Sequence, residues 1–206
     1  NFNYPDNTLF TSIKSTSEDN LSAYGYKITT AGISVGTRFE QYKNFYFSPE
    51  LDFTQEDLNT NSTASNNLKK QDGSYSDFYF NYNLLYDNRD SSFNPTRGSV
   101  FSFAQNLPLI SSDDEISNTF SYTKYKSLND SKSMIGKVSF YLQTVNSLGN
   151  NDVRISKRAH VPYSRLRGFE RGKVGPVDGN DYIGGNYVSA INLSTNLPGI
   201  LSTLEN

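Results

Sequence analysis

The chain has no cysteine and no tryptophan, and only one histidine and one methionine among 206 residues. Without cysteine there can be no disulfide, no thiolate zinc site and no thiol nucleophile, a composition that fits a protein crossing an oxidising periplasm. His160 is the single histidine, so a His-dependent triad or a histidine metal site would have to rest on one residue; the inventory argues against an enzyme, and no cofactor is expected. No run approaches the roughly 18 consecutive apolar residues of a spanning helix, which excludes a helical membrane protein. Nor is there an excess of one charge: the formal net charge of -2 gives no general push toward nucleic acid. What is abundant is aromatic, 15 Tyr and 14 Phe in a chain that is only 35% hydrophobic. A transmembrane β-barrel combines these properties because only alternate residues of each strand face lipid while the others face a polar lumen.

The order of residues supports that reading. Phe45, Phe47, Leu51 and Phe53 alternate with Ser48, Glu50, Asp52 and Thr54. Phe78, Phe80, Tyr82, Leu84 and Tyr86 stand likewise against Asp77, Tyr79, Asn81, Asn83 and Asp87. Val138, Phe140 and Leu142 oppose Lys137, Ser139, Tyr141 and Gln143, and Ala31, Ile33, Val35 and Phe39 oppose Ser34, Arg38 and Glu40. These are antiparallel-strand signatures. Weaker candidates at 8–16, 97–107, 115–126 and 186–197 bring the total to about eight strands of membrane-spanning length. Within 24–39 the phase changes, since Tyr24, Tyr26 and Ile28 are out of step with Ile33 and Val35; a bulge or a displaced strand start would each account for it. The connectors 41–44, 88–96 and 127–132 are short or compact, whereas 59–73 and 148–185 are long, with 17–23 and 108–114 between. Counting strands puts the compact turns at one end and the long loops at the other, as in outer-membrane barrels. The Asn- and Ser-rich 59–73 reads as a mobile surface loop.

Two segments stand out. From Tyr86 and Asp87 to Phe93, Asn94, Pro95, Thr96, Arg97 and Gly98, a strand ends in clustered charges and a Pro/Gly-bearing turn, which as plain chemistry is a hairpin. The connector from Val153 to Asp181 is long for an otherwise economical meander and holds Arg154, Lys157, Arg158, Arg165, Arg167, Arg171 and Lys173, seven of the chain's 19 basic residues. A basic, aromatic-containing segment suits nucleic acid, but its glycines imply tight bends and the rest of the chain supplies no basic groove. A floppy outer loop is a second reading. A third fits the composition better: an Arg held inside a barrel must pair with carboxylates or carbonyls, with Gly168 letting the backbone approach closely and Phe169 adding an apolar anchor.

In this order and separation, the two segments resemble the barrel of the BamA-type outer-membrane assembly family. Tyr86-Asp87 through Phe93-Asn94-Pro95-Thr96-Arg97-Gly98 is similar to its strand-turn signature, Leu166-Arg167-Gly168-Phe169 to its luminal (V/I)RGF loop motif, and Gly184-Gly185-Asn186 with the strand running to Leu197-Pro198 to its G-G-N strand. The resemblance implies an all-β, antiparallel, up-and-down transmembrane barrel of sixteen strands, of which residues 1–206 would be a partial domain of about eight, with POTRA repeats and terminal strands absent. It further implies a non-enzymatic machine of the bacterial outer membrane that folds and inserts β-barrel proteins. Its partners would be unfolded barrel clients, accessory assembly lipoproteins and outer-membrane lipid, with no nucleic acid. In that family the loop folds back into the lumen and Arg167 contacts acidic residues of the wall. This sequence departs at Leu166, which replaces a β-branched residue, and at Ser194, which stands where an acidic partner is common; Glu50, Asp52, Asp77 or a carboxylate beyond Asn206 would have to serve. A two-partner secretion transporter would share the Arg-Gly-Phe loop, a passive porin only the strands, and a soluble β-sandwich only the alternation, with shorter strands.

Overall fold

Period-two alternation pairs strand against strand with the apolar residues in common rows, and the computed structural model is built that way. It describes residues 7–21, 25–170 and 172–196. The strands are β1 (Thr8–Asn20), β2 (Tyr26–Tyr42), β3 (Phe45–Thr60), β4 (Gly73–Asp87), β5 (Gly98–Ser111), β6 (Glu115–Ser127) and β7 (Ile135–Ser147). After a long connector containing the two-residue strands β8 (Val177–Asp178) and β9 (Asp181–Tyr182) comes β10 (Tyr187–Thr195). The large sheet is an open antiparallel meander in the order β1-β2-β3-β4-β5-β6-β7-β10, with β8 and β9 pairing separately.

Register makes one face continuous. Ile13 lies opposite Ile33, Ile33 opposite Phe53, and Phe53 opposite Phe78; Val35, Leu51, Phe80 and Leu107 form the next row. Further along, Phe103, Phe120, Leu142 and Ser189 are aligned, as are Phe101, Tyr122, Phe140 and Ile191. Ile13, Ile33 and Ile191 are 86%, 56% and 71% exposed, so this face is apolar without being covered by protein. Aromatic contacts knit it toward the turn end, with centroid separations of 5.5 Å for Phe39–Phe47, 5.1 Å for Phe101–Phe120 and 5.7 Å for Phe120–Phe140. An exposed apolar face with aromatics grouped toward one edge is what a lipid-facing barrel wall presents. The opposite, inner face carries Ser34, Thr54, Asp77, Thr123 and Ser139, all buried.

The structure corrects several boundaries. β1 runs on to Asn20 and β5 to Ser111, so the connectors shrink to 21–25 and 112–114. Pro108 is accommodated in β5 beside a register shift at Phe78/Tyr79, the kind of place where a missing N–H does least harm. The phase change in β2 is neither a bulge nor a displaced start, because pairing with β3 is continuous from Tyr26↔Thr60 to Gly36↔Glu50. Tyr26 and Ile28 point inward and are apolar because loops cover them: Tyr26 packs with Leu58, Ala64, Leu68 and Ile155, and Ile28 borders the same cluster. Tyr24 lies outside the described residues. The 59–73 segment is a surface loop, largely exposed, that is packed inward through two residues. Ser65 caps a short helix, α1 (Asn66–Lys69), and Ala64 and Leu68 are its buried contribution. The end asymmetry therefore rests on 61–72 and 148–186, with 112–114 a tight turn at the long-loop end.

Candidate functional site

The connector between β7 and β10 meets the inner face at its root and at Arg165, and rests its returning arm on the 61–72 loop, where Asp178 accepts from Ser65 Oγ and Asn67 Nδ2 and Asp181 from the Ser65 N–H. At the root of this connector, Leu148 donates its N–H to the Asp114 carbonyl, and Val153 and Ala159 are buried against Val145 and Val188. Between them Arg154, 1% exposed, carries the centre of the site. Its Nη2 lies 2.6 Å from Asp77 Oδ2 and 3.9 Å from Glu115 Oε2, Nη1 is 3.6 Å from Glu56 Oε1, and Nε is 3.8 Å from Asp113 Oδ2. The guanidinium stacks 4.1 Å from the Tyr75 ring centroid. The backbone joins in: Arg154 N–H donates to Glu115 Oε1 at 2.6 Å, and Ile155 N–H to Gln71 Oε1 at 2.7 Å. Ser156 donates to Glu56, and Lys157 Nζ sits 3.3 Å from Asp77 Oδ2 above the Tyr79 ring. Burial works against the Arg154 charge, but Glu56, Asp77 and Glu115 outweigh it and hold its pKa above the usual value. Arg154 and Lys157 occupy the middle of these carboxylates, and among the described residues no cluster of His, Cys, Asp or Glu is arranged to hold a metal.

Below the root the connector closes on itself, with Ala159 and Gly185 exchanging N–H···O bonds of 2.7 and 2.9 Å. Gly184 needs its glycine, having φ +67 and a Cβ position 2.7 Å from His160 Nε2. The Asn186 carbonyl accepts from Val145 N–H and leads into β10. Leu197 and Pro198 lie outside the described residues, as does Arg171.

At the tip, Arg165 stacks over Tyr141 at 5.2 Å and its carbonyl accepts from Asn192 Nδ2 at 2.7 Å. Arg167 is exposed and has no ion pair among the described residues. It borders a cavity of about 440 Å³ with Lys137, Ser164, Arg165, Asn192 and Ser194, a lining with three cations and no carboxylate. The arginine that meets wall carboxylates, Asp77 among them, is therefore Arg154. Sequence reading did not single it out, although Glu56, Asp77 and Glu115 all fall at inner-face positions on the long-loop end of their strands. Gly168 is glycine because its φ is +87; a Cβ there would meet nothing within 4 Å, so close backbone approach is not the reason. Phe169 is 57% exposed and borders a small hollow with Leu166, Tyr163, Val161 and Val174 of its own loop.

The strand-turn motif is a closed hydrogen-bonded turn. Arg89 grips Asp87 through Nε and Nη2 at 2.8 and 2.6 Å, and Asn88 Oδ1 accepts from Ser99 N–H at 2.7 Å. The Asp90 carboxylate accepts from the Thr96 hydroxyl and from the N–H groups of Thr96 and Arg97, and these bonds, the hydroxyl's foremost, hold its pKa down to about 2. Pro95 immediately precedes Thr96 in this turn, Tyr86 continues the outer face beside Phe101, and Phe93 stands 88% exposed at the turn tip. Gly98, at φ +99, has its Cβ position 2.5 Å from the Asn88 carbonyl oxygen. Alanine at Gly98 combines a backbone collision with the ~1–2 kcal/mol of left-handed strain, whereas alanine at Gly168 carries the strain alone. Urea unfolding of the full-length protein in vesicles is expected to rank Gly98→Ala below Gly168→Ala, and both below wild type.

A family model, the Omp85 superfamily domain, matches residues 2–203. The chain belongs to the Omp85 superfamily. Among solved structures, BamA from Haemophilus ducreyi lacking POTRA domains 1–3 superposes with a TM-score of 0.81 at 22% identity, over 95% of this chain and 42% of that one. The chain thus spans less than half the length of that relative, and its open eight-stranded sheet has the BamA barrel fold. No curated protein sequence matches. Membership places the chain in the bacterial outer membrane, in a superfamily of assembly factors and transporters.

Proposed function

We propose that this chain is part of a factor that folds and inserts β-barrel proteins into the bacterial outer membrane, with the Leu166-Arg167-Gly168-Phe169 loop bracing the barrel interior. The observation that carries the proposal is the path of 148–186, which is rooted among wall carboxylates and brings its tip to the inner face of β7 and β10 through Arg165 and Asn192. Unfolded barrel clients, accessory assembly lipoproteins and lipid are the partners of this reading. Catalysis here is edge pairing: unpaired strand groups template an incoming strand, and no nucleotide or covalent step is required. Within that scheme the described sheet is supporting wall. Arg167, unpaired among the described residues, is available to a carboxylate supplied by the rest of the barrel. Residues 1–206 form one partial barrel domain in this reading, with POTRA repeats and the remaining strands elsewhere in the protein.

The test is Arg167→Ala in the full-length protein reconstituted in liposomes, scored by assembly of a client barrel. Loss of a charge-assisted hydrogen bond worth ~1.5–3 kcal/mol predicts a fall in rate of about tenfold or more, with the factor's own folded fraction unchanged. Equal assembly by mutant and wild type would refute the bracing role.

A further inference from the structure

The connector between β7 and β10 is held at its root by Arg154, near its tip by Arg165 and on its returning arm by Asp178 and Asp181, and the Leu166–Phe169 motif supplies none of these contacts. We infer that Arg154 is a positioning residue for the loop tip: it fixes the root of 148–186 so that Arg167 is presented at the inner face of β7 and β10. This deepens the assembly reading and rests on it for its functional consequence.

Three observations carry the inference. First, one side chain ties together residues from four places in the wall, namely Glu56 on β3, Asp77 on β4, Asp113 in the β5–β6 turn and Glu115 on β6, while Tyr75 closes one face of the guanidinium. Arg is suited to this because its planar fork addresses several acceptors at once, which a lysine ammonium on a flexible stem cannot do in the same geometry. Second, the segment is registered through its main chain as well, by Arg154 N–H on Glu115 and Ile155 N–H on Gln71, so a shift of the root by one residue would break both bonds. Third, the Ala159–Gly185 bridge lies immediately beyond, so the fixed root is coupled to a neck that gathers both arms of the tip. Around Arg167 itself the holds on the wall are few, namely the Arg165 carbonyl on Asn192 and the Arg165 stack on Tyr141, while the returning arm rests on the 61–72 loop, where Asp178 accepts from Ser65 Oγ and Asn67 Nδ2 and Asp181 from the Ser65 N–H. A weakly held tip on a rigid neck takes its position from the root.

Residues 1–206 contain no cysteine, so a thiol pair placed in them meets no competitor within this stretch, and any cysteine elsewhere in the protein is first changed to serine. Ser164 and Ser194 border the same tip cavity, one from the loop and one from β10. In the full-length protein in phosphatidylethanolamine/phosphatidylglycerol liposomes, a Ser164→Cys/Ser194→Cys pair should crosslink readily with a short bifunctional thiol reagent. Adding Arg154→Met or Arg154→Lys should lower the crosslinking rate at least fivefold, Lys less than Met. Arg38→Met, which removes a stack on Tyr46 at the turn end of β2 and β3, should leave it unchanged. Folding is checked by heat-modifiable mobility. Arg154→Met/Asp77→Asn removes one of the uncompensated acids where Arg154→Met alone folds poorly. Crosslinking at the wild-type rate in folded Arg154 variants overturns the inference, as does failure of every Arg154 variant to fold, which would make Arg154 a folding residue of the wall. If crosslinking falls while client assembly is untouched, the positioning role stands and the assembly role of the loop falls.

Discussion

Phe80→Arg should abolish membrane insertion of the full-length protein, while Asn81→Arg, one residue away, should leave most of it folded. Phe80 lies mid-strand in β4, in the exposed row formed with Val35, Leu51 and Leu107. An arginine on the lipid face near the bilayer midplane costs ~2–4 kcal/mol, a large part of what a marginally stable fold can lose. Neighbouring aromatics give no relief, because Phe80 contacts Tyr82 within the same apolar layer. Asn81 points the other way, toward Glu50 and Asn106 in the paired strands, where a guanidinium finds a carboxylate instead of hydrocarbon. The measurement is the fraction of heat-modifiable, protease-resistant protein after refolding into vesicles, with Phe80→Ala as the control for lost packing alone. Insertion by Phe80→Arg at or above the level of Asn81→Arg would reverse the assignment of the two faces.

That assignment could be made from residue order alone because lipid imposes a strict demand on every second position. Phe45–Phe53 and Phe78–Tyr86 show it plainly, and the described strands agree with it. The rule fails where lipid stops. In β1, Ser17 to Asn20 continue the ladder with β2 although both faces are wet, so no alternation marks them and the strand reads four residues too short. At Tyr26 and Ile28 the inner face is apolar for a different reason, cover from loops, and a two-state pattern has no symbol for that. The turn around Asp90 and Gly98 was legible because its residues are local. The root of the long connector was not: Arg154 meets residues 56, 77, 113 and 115, which only the fold brings together. Arg167 was legible as part of a motif, but the carboxylate expected opposite it is not among the described residues.

The same cluster sets the second large effect. Asp77→Asn should destabilise the protein far more than Asp113→Ala, although both remove a carboxylate facing Arg154. Asp77 is fully buried, bonded at 2.6 Å to Arg154 and 3.3 Å from Lys157, and it also accepts from the Ser111 hydroxyl at 2.7 Å. Neutralising it leaves two cations sharing Glu56 and Glu115 at longer range, and stripping one partner from a buried pair typically costs ~3–5 kcal/mol. Asp113 is 3.8 Å from Arg154 and its side chain 20% exposed, so water takes over much of its role and the loss should stay near ~1 kcal/mol or below. A double-mutant cycle separates this from simple loss of packing. If the Asp77→Asn penalty is an uncompensated charge, Arg154→Met/Asp77→Asn should be more stable than the two single penalties add up to, with a coupling within the ~0.5–3 kcal/mol range of contacting residues. Additive penalties in urea unfolding would mean that Asp77 acts on the wall without Arg154, through Ser111 and Lys157.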